Sequence, residues 1–239
     1  MIVTREWFKE ADYPDEFKAV LDMAIAEWDV DLLCAIVQRD WFKGADYPDE
    51  IKAILDMATV KCNNYLVRAI VKCTWFKGAD YPVEFKAIIN KAIAEWNTGL
   101  LCEIVECSWF KGADYPDEFK VIINKAIAEW DTDLVRAIVY QDWFKGADCP
   151  DEFKAIINMA TVKWDTDLVL VIVCQHWFNA TDYPDKFEAI LDRSIAKWDT
   201  YLVHLIVWKN VLRELIILMS SRVLLTWLLL SGTLICFVR

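Results

Sequence analysis

The chain has 239 residues, 56% of which are hydrophobic, and a formal net charge of -11 at pH 7. Nucleic-acid binding relies on lysine and arginine side chains that neutralise phosphates, so this charge argues against a nucleic-acid partner. An acidic surface attracts positively charged molecules, so a basic protein is the partner class that the composition favours.

One unit of 34 residues repeats along most of the chain. The prolines stand at Pro14, Pro48, Pro82, Pro116, Pro150 and Pro184. A fixed period of roughly 20–50 residues marks a tandem array, in which each unit buries its apolar face against its neighbours. The sequence therefore predicts an all-α fold, an α-solenoid of six helix pairs. Its expected parts are a lead-in at 1–6, six units at 7–40, 41–74, 75–108, 109–142, 143–176 and 177–210, and an apolar tail at 211–239.

The first helix of each unit is predicted to begin at the proline. In the fourth unit Pro116 suits a first helical position, where its missing N–H is no loss. Asp117 and Glu118 then lie at the positive end of the helix dipole. Apolar residues continue at helical spacing as far as Trp130, where we expect this helix to end.

The second helix is predicted to begin after Asp131, whose carboxylate suits an N-cap. We expect it to run through Trp143 and to end at Gly146, because glycine readily adopts the left-handed conformation that closes helices. Short connections of this kind predict antiparallel neighbours, twelve helices in a two-layer stack, and no β-sheet.

Two rows of tryptophan recur with the unit. The first row, Trp7 to Trp177, could bind a peptide if it were exposed, but we expect it to pack under the first helix that follows it in the chain. The second row ends each first helix and is expected in the core; it comprises Trp28, Trp96, Trp130, Trp164 and Trp198.

The three residues before each tryptophan of the first row differ most between units. Variation inside near-identical units is expected either of a surface that reads a partner or of neutral solvent positions. The candidate partner-binding residues are Gln38, Arg39, Lys72, Glu106, Tyr140, Gln141, Gln175 and His176.

Part of each unit resembles ankyrin repeats. The segment from Asp133 to Val139, followed by Gly146-Ala147-Asp148, is similar to the second helix and the Gly-Ala-Asp loop of that family. The start of the unit departs from the family, because Tyr115-Pro116-Asp117-Glu118 replaces its Thr-Pro-Leu-His turn. The resemblance implies a stacked helical hairpin that binds proteins.

Catalytic and cofactor chemistry has little support in the sequence. The two histidines, His176 and His204, occupy different positions of the unit, and we predict no catalytic residue, no metal site and no cofactor. The eight cysteines follow no disulfide or zinc spacing, so we expect free and mostly buried thiols. No signal peptide is visible at the start of the sequence, which favours a location outside the secretory pathway.

The tail differs from the array. Between Arg222 and Arg239 the chain has 16 uncharged, mostly apolar residues, slightly short of the roughly 17–25 that a spanning helix needs. It is predicted to anchor the array to a membrane from the cytoplasmic side, with a closing helix or an unselected tail as alternatives. The function predicted overall is a noncatalytic protein-interaction scaffold. The alternative is a membrane-tethered structural or spacer protein without a specific recognition surface.

Overall fold

The computed structural model describes residues 14–178, 183–197, 199–206 and 208. These residues form helices that pack in successive pairs and contain no strand, so the predicted all-α, α-solenoid class is confirmed. The tail at 211–239 and the lead-in at 1–6 lie outside the described residues, as do Trp7 and Trp198.

Each unit contributes a long first helix and a shorter second helix. The first helices are α1 (Pro14–Glu27), α3 (Pro48–Val60), α5 (Pro82–Glu95), α7 (Pro116–Ala128), α9 (Pro150–Lys163) and α11 (Pro184–Ala196). The second helices are α2 (Val30–Val37), α4 (Asn64–Val71), α6 (Thr98–Glu106), α8 (Thr132–Val139), α10 (Thr166–Cys174) and the helical segment 200–206.

The predicted starts of both helices are confirmed. Every first helix begins at its proline, and in α7 both Asp117 and Glu118 lie in the first turn. The second helices begin after an Asp or Asn whose side chain accepts a hydrogen bond from a backbone N–H three residues later. In α8, for example, Asp131 accepts from the N–H of Leu134 at 3.0 Å. This bond satisfies one of the free N–H groups at a helix start.

The prediction that second helices end at glycine is wrong. Helix α6 ends at Glu106, and Gly112 instead opens a short 3₁₀ turn, Gly112–Asp114. The intervening Trp109 and Phe110 leave the helix because their rings pack against aromatic rings of both neighbouring units. The glycine is needed for space, since a Cβ atom there would lie 2.8 Å from Cδ1 of Phe119.

The left-handed position lies instead at the end of the first helix. Trp28, Cys62, Trp96, Trp130 and Trp164 have φ between 50° and 55°. The core prediction for this second tryptophan row is wrong: the four described tryptophans are half-buried or, at Trp130, exposed. A left-handed residue no longer follows the helical stripe, so its side chain turns away from the buried face of the helix.

The first tryptophan row lies at the edge of the core. Its described members, Trp41 to Trp177, are half-buried, whereas the phenylalanine that follows each of them is buried. Contrary to the prediction that they pack under the next first helix, four of the five rings pack edge-on against a phenylalanine of the preceding first helix. The exception is Trp75, which packs edge-on against Phe42 because α3 has Ile51 in place of that phenylalanine. The ring centroids are 5.0 Å apart for Trp109 and Phe85 and 5.3 Å apart for Trp143 and Phe119.

The chain divides into two compact units, Met1–Asp148 and Cys149–Arg239. In the first compact unit, first helices contact first helices and second helices contact second helices, so that α2, α4, α6 and α8 are successive neighbours. In the second compact unit, α9 contacts both α10 and α11. The described second helices of the first compact unit therefore form one continuous layer.

Candidate functional site

The outward side of this layer carries residues that change from unit to unit. Its inward side repeats the same apolar pattern, such as Leu66, Val67, Ile70 and Val71 of α4, all of which are buried. We call the outward side the variable face. It consists of Asp31, Ala35 and Gln38 at α2, Tyr65, Arg68 and Lys72 at α4, Cys102, Glu103 and Glu106 at α6, and Asp133, Arg136 and Tyr140 at α8.

Four of the predicted partner-binding residues lie on this face at matching positions. Gln38, Lys72, Glu106 and Tyr140 are all exposed where their helices end. Tyr140 has 69% of its surface exposed. The structure therefore places these four in one layer that a partner can reach.

The middle residue of each triplet is more enclosed. Arg39, Gln141 and Gln175 are half-buried, and Gln175 and the exposed His176 belong to the second compact unit. The side-chain nitrogen of Gln141 donates to the carbonyl of Ala137 at 3.0 Å, and the thiols of Cys73 and Cys107 donate to the equivalent carbonyls at 3.0 and 3.1 Å. These bonds satisfy carbonyls at the end of the second helix, which gives the middle position a structural role.

A cleft of about 390 Å³ lies between the ends of α4 and α6. It is lined by two consecutive variable triplets, residues 72–74 and 106–108, and by Val71, Glu103 and Trp109. Among the predicted residues, Lys72 and Glu106 are thus brought together. The volume lies near the lower end of the roughly 300–1,000 Å³ typical of ligand pockets.

A charged cluster links the two helices beside this cleft. The Glu103 carboxylate lies 2.9 Å from Nζ of Lys72 and 3.3 Å from Nε of Arg68. Gly99 leaves room for the Arg68 guanidinium, which lies where a Cβ atom would be. The cluster fixes one wall of the cleft, because both cations come from α4 and the anion from α6.

The thiols at the cleft are poor nucleophiles. Burial raises the pKa of Cys73 to about 11, against a hydrogen bond with Trp75 that lowers it. Burial and the neighbouring Glu103 raise the pKa of Cys107 to about 11 as well. Both thiols therefore stay protonated at neutral pH, and the reactive form of cysteine is the thiolate.

The expectation of mostly buried cysteines is wrong in detail. All seven described cysteines are free, but only Cys34 is buried, while Cys62 and Cys174 are exposed. Cys62 occupies the position that tryptophan holds in the other described units, and its left-handed backbone keeps it at the surface.

The second compact unit has a separate cleft of about 380 Å³ on its first helices. Thr161 and Val162 of α9 and Ala189, Asp192, Arg193 and Ala196 of α11 line it. Arg193 donates a hydrogen bond to the carbonyl of Val162 at 3.3 Å, so its positive charge lies at the C-terminal end of α9. None of the predicted partner-binding residues lines this cleft.

Several residues of the variable face, among them Tyr65, Arg68 and Glu103, were not predicted from the sequence. The signal was present, because the same helical positions hold different residues in successive units. The variation at these positions is easy to miss, because the other residues of the same helices repeat closely from unit to unit.

Within the described ranges, no helix is long and apolar enough to cross a bilayer, and no three His, Cys, Asp or Glu side chains cluster as metal ligands would. The predicted anchor at 211–239 lies outside those ranges. Comparison with protein-family models, with curated proteins and with solved structures found no match. The partial resemblance to ankyrin repeats therefore has no support from these comparisons.

Proposed function

We propose that this protein is a noncatalytic scaffold that binds another protein through the variable face. The observation that carries the proposal is the convergence of two variable triplets, residues 72–74 and 106–108, on one cleft between neighbouring second helices. Variation between units is concentrated where a partner can reach it, while the buried side of the same helices stays constant.

The side chains of the face suit protein recognition. Tyrosine and arginine are enriched among the residues that dominate binding energy at interfaces. Tyr65 and Tyr140 are exposed by 64% and 69%, and Arg68 and Arg136 are partly exposed beside them. Both arginines are already held by a carboxylate, so they are ordered before a partner arrives, which lowers the entropic cost of binding.

The partner that we propose carries positive charge. The chain has a net charge of -11, and exposed aspartates repeat in the loops of the first compact unit at Asp46, Asp80 and Asp114. None of these three carboxylates forms a salt bridge with another described residue. Such a field accelerates the approach of a basic partner and weakens as salt is added.

The alternative is a structural spacer, held at the cytoplasmic side of a membrane by residues 211–239. The regular links between first helices support it. Lys18 pairs with Glu50, and Lys86 lies 2.8 Å from Glu118, with the same spacing along the chain. Links of this kind, between α1 and α3 and between α5 and α7, hold neighbouring units together without requiring a partner.

A pull-down with two matched variants separates these functions. The first variant carries Tyr65→Ala, Lys72→Ala, Glu106→Ala and Tyr140→Ala on the variable face. The control carries Lys52→Ala, Val83→Ala, Asp117→Ala and Val121→Ala on first helices, where all four residues are exposed. Both variants lose one positive charge, one negative charge and two exposed large side chains.

We expect the variable-face variant to lose its partner and the control variant to retain it. The spacer function is favoured instead if both variants keep every partner, while deletion of whole units changes behaviour in proportion to length. For the proposed membrane location, a chain ending at Asn210 should become soluble, whereas the full chain should sediment with membranes and resist alkaline extraction.

A further inference from the structure

The cleft between α4 and α6 holds one carboxylate whose charge has no partner. Glu106 lies on its rim and is exposed, and it forms no salt bridge with any other described residue. The second carboxylate, Glu103, is already held by Lys72 and Arg68. Lys72 also lines the cleft, and its ion pair with Glu103 leaves the lining residues with one net negative charge, that of Glu106. Arg68 binds Glu103 from beside the cleft, so these two cations and two anions together sum to zero. Glu106 is therefore the lining carboxylate that remains available to a cation from a partner.

The other lining groups suit a flat cation. Trp109 contributes an indole ring to the wall, and Thr74 and Ser108 contribute exposed hydroxyls that can accept hydrogen bonds. A guanidinium group is planar, donates from five N–H groups, binds carboxylates through two parallel bonds and stacks on aromatic rings. The ammonium group of a lysine is a compact charge that is not planar and does not present two parallel N–H groups to one carboxylate.

The rim position of Glu106 differs elsewhere on the variable face. The corresponding residues of the other second helices in the first compact unit are Gln38, Lys72 and Tyr140. An acidic rim beside a cleft of about 390 Å³ thus occurs at α6 alone among these four helices.

We propose that the α4–α6 cleft is a pocket for an arginine side chain of the partner protein, with its guanidinium paired to Glu106. This inference rests on the proposed function and specifies the chemistry of its partner. The partner segment presents the arginine from a basic surface, in agreement with the acidity of the whole chain.

Selection of displayed random peptides on the full chain tests the pocket. We expect the recovered peptides to share an arginine. Replacing that arginine with citrulline, which keeps the shape but removes the charge, should weaken binding at least about tenfold, the loss expected of a charge-assisted pair. Replacing it with lysine should also weaken binding, because the fork and the plane are lost.

The matched protein variants are Glu106→Gln and Glu129→Gln. Each removes one negative charge, and Glu129 is exposed at the end of α7, where it does not line the cleft. Glu106→Gln should reproduce the tenfold loss, whereas Glu129→Gln should bind like the wild type.

Three results overturn the inference. If peptide binding depends on Tyr140 but is unchanged in Glu106→Gln, the arginine pocket is contradicted. The proposed function is not contradicted by that result. Equal affinity for arginine and lysine peptides contradicts the guanidinium assignment. Failure to recover any peptide that depends on a variable-face residue contradicts both the pocket and the proposed function.

Discussion

The glycines of the Gly-Ala-Asp loops show how a single atom limits what this fold accepts. At Gly112 a Cβ atom would lie 2.8 Å from Cδ1 of Phe119 and 2.9 Å from Cζ3 of Trp143. Both rings belong to a packed aromatic cluster, so neither can move freely. Gly99 is also crowded, but by the end of the flexible Arg68 side chain, which can move aside.

The two glycines should therefore respond differently to alanine. Gly112→Ala is expected to lower the free energy of unfolding by about 1–3 kcal/mol, the usual cost of overpacking. Gly99→Ala should change it by less than about 1 kcal/mol, because alanine favours the helix while the displaced Arg68 loses a partly exposed ion pair with Glu103. Urea denaturation measures both, and equal destabilisation by the two variants would contradict the assigned packing.

The buried thiols make the free energy of unfolding depend on pH. Burial raises the pKa of Cys34 and Cys73 from an ordinary value of 9.0 to about 11. Below pH 9 these thiols are protonated in both the folded and the unfolded chain, so they do not make the free energy of unfolding change with pH. Between pH 9 and 11 the unfolded chain loses these protons first, so stability falls as the pH rises.

The Cys73→Ala substitution should reduce this loss of stability above pH 9. The urea midpoint of the wild type is expected to drop more between pH 8 and pH 10.5 than that of the Cys73→Ala variant. Thr74→Ala, at an exposed neighbour that does not titrate in this range, serves as the control and should keep the wild-type slope. A wild-type slope in Cys73→Ala as well would show that this thiol keeps no raised pKa.

Neighbouring helices are joined at their ends as well as by apolar packing. Nζ of Lys125 in α7 donates to the carbonyl of Ile93 near the end of α5 at 2.8 Å, and it lies 4.7 Å from the centre of the Trp96 ring. A cation at this end of a helix is stabilised by the helix dipole, and the aromatic face adds a second attraction. Lys125 thus links two units.

Replacing this lysine tests the link. Lys125→Met keeps most of the apolar stem but removes the charge, and it should lower the free energy of unfolding by about 0.5–2 kcal/mol. Lys111→Met in an exposed loop should change it by less than about 0.5 kcal/mol. If thermal or urea unfolding shows no difference between the variants, the link contributes nothing.

Helix starts and helix ends differed in how well the sequence predicted them. Starts depend on local chemistry, the proline at Pro116 and the cap at Asp131, and both were predicted correctly. The ends depend on partners distant in the sequence: Trp109 leaves its helix to meet Phe85, and Trp130 takes a left-handed backbone. Spacing within one unit carries no information about such contacts.

The candidate site was predicted in part for the same reason. Variation between units identified Lys72 and Glu106, which the structure places on one cleft. It did not identify Glu103 and Arg68, because their role depends on the contact between α4 and α6. A comparison of units restricted to outward helix positions would have found them.

At the scale of the whole molecule, near-identical units give the chain a repeated framework, and the proposed function depends on where the units differ. In the first compact unit, the outward positions of the second helices differ between repeats, and the first helices also differ, as at Asp22, Asp56, Asn90 and Asn124. We assign recognition to the second helices because two variable triplets, residues 72–74 and 106–108, meet there at one cleft.

Photo-crosslinking from single positions tests this account most directly. A photoreactive residue replaces Lys72, Glu106 or Tyr140 on the variable face, or Lys52, Val83 or Asp117 on the first helices, in the full chain inside cells. The account predicts a protein adduct of one discrete mass from the variable-face positions and none from the first helices. Adducts that form only from the first-helix positions, or from no position at all, would contradict it.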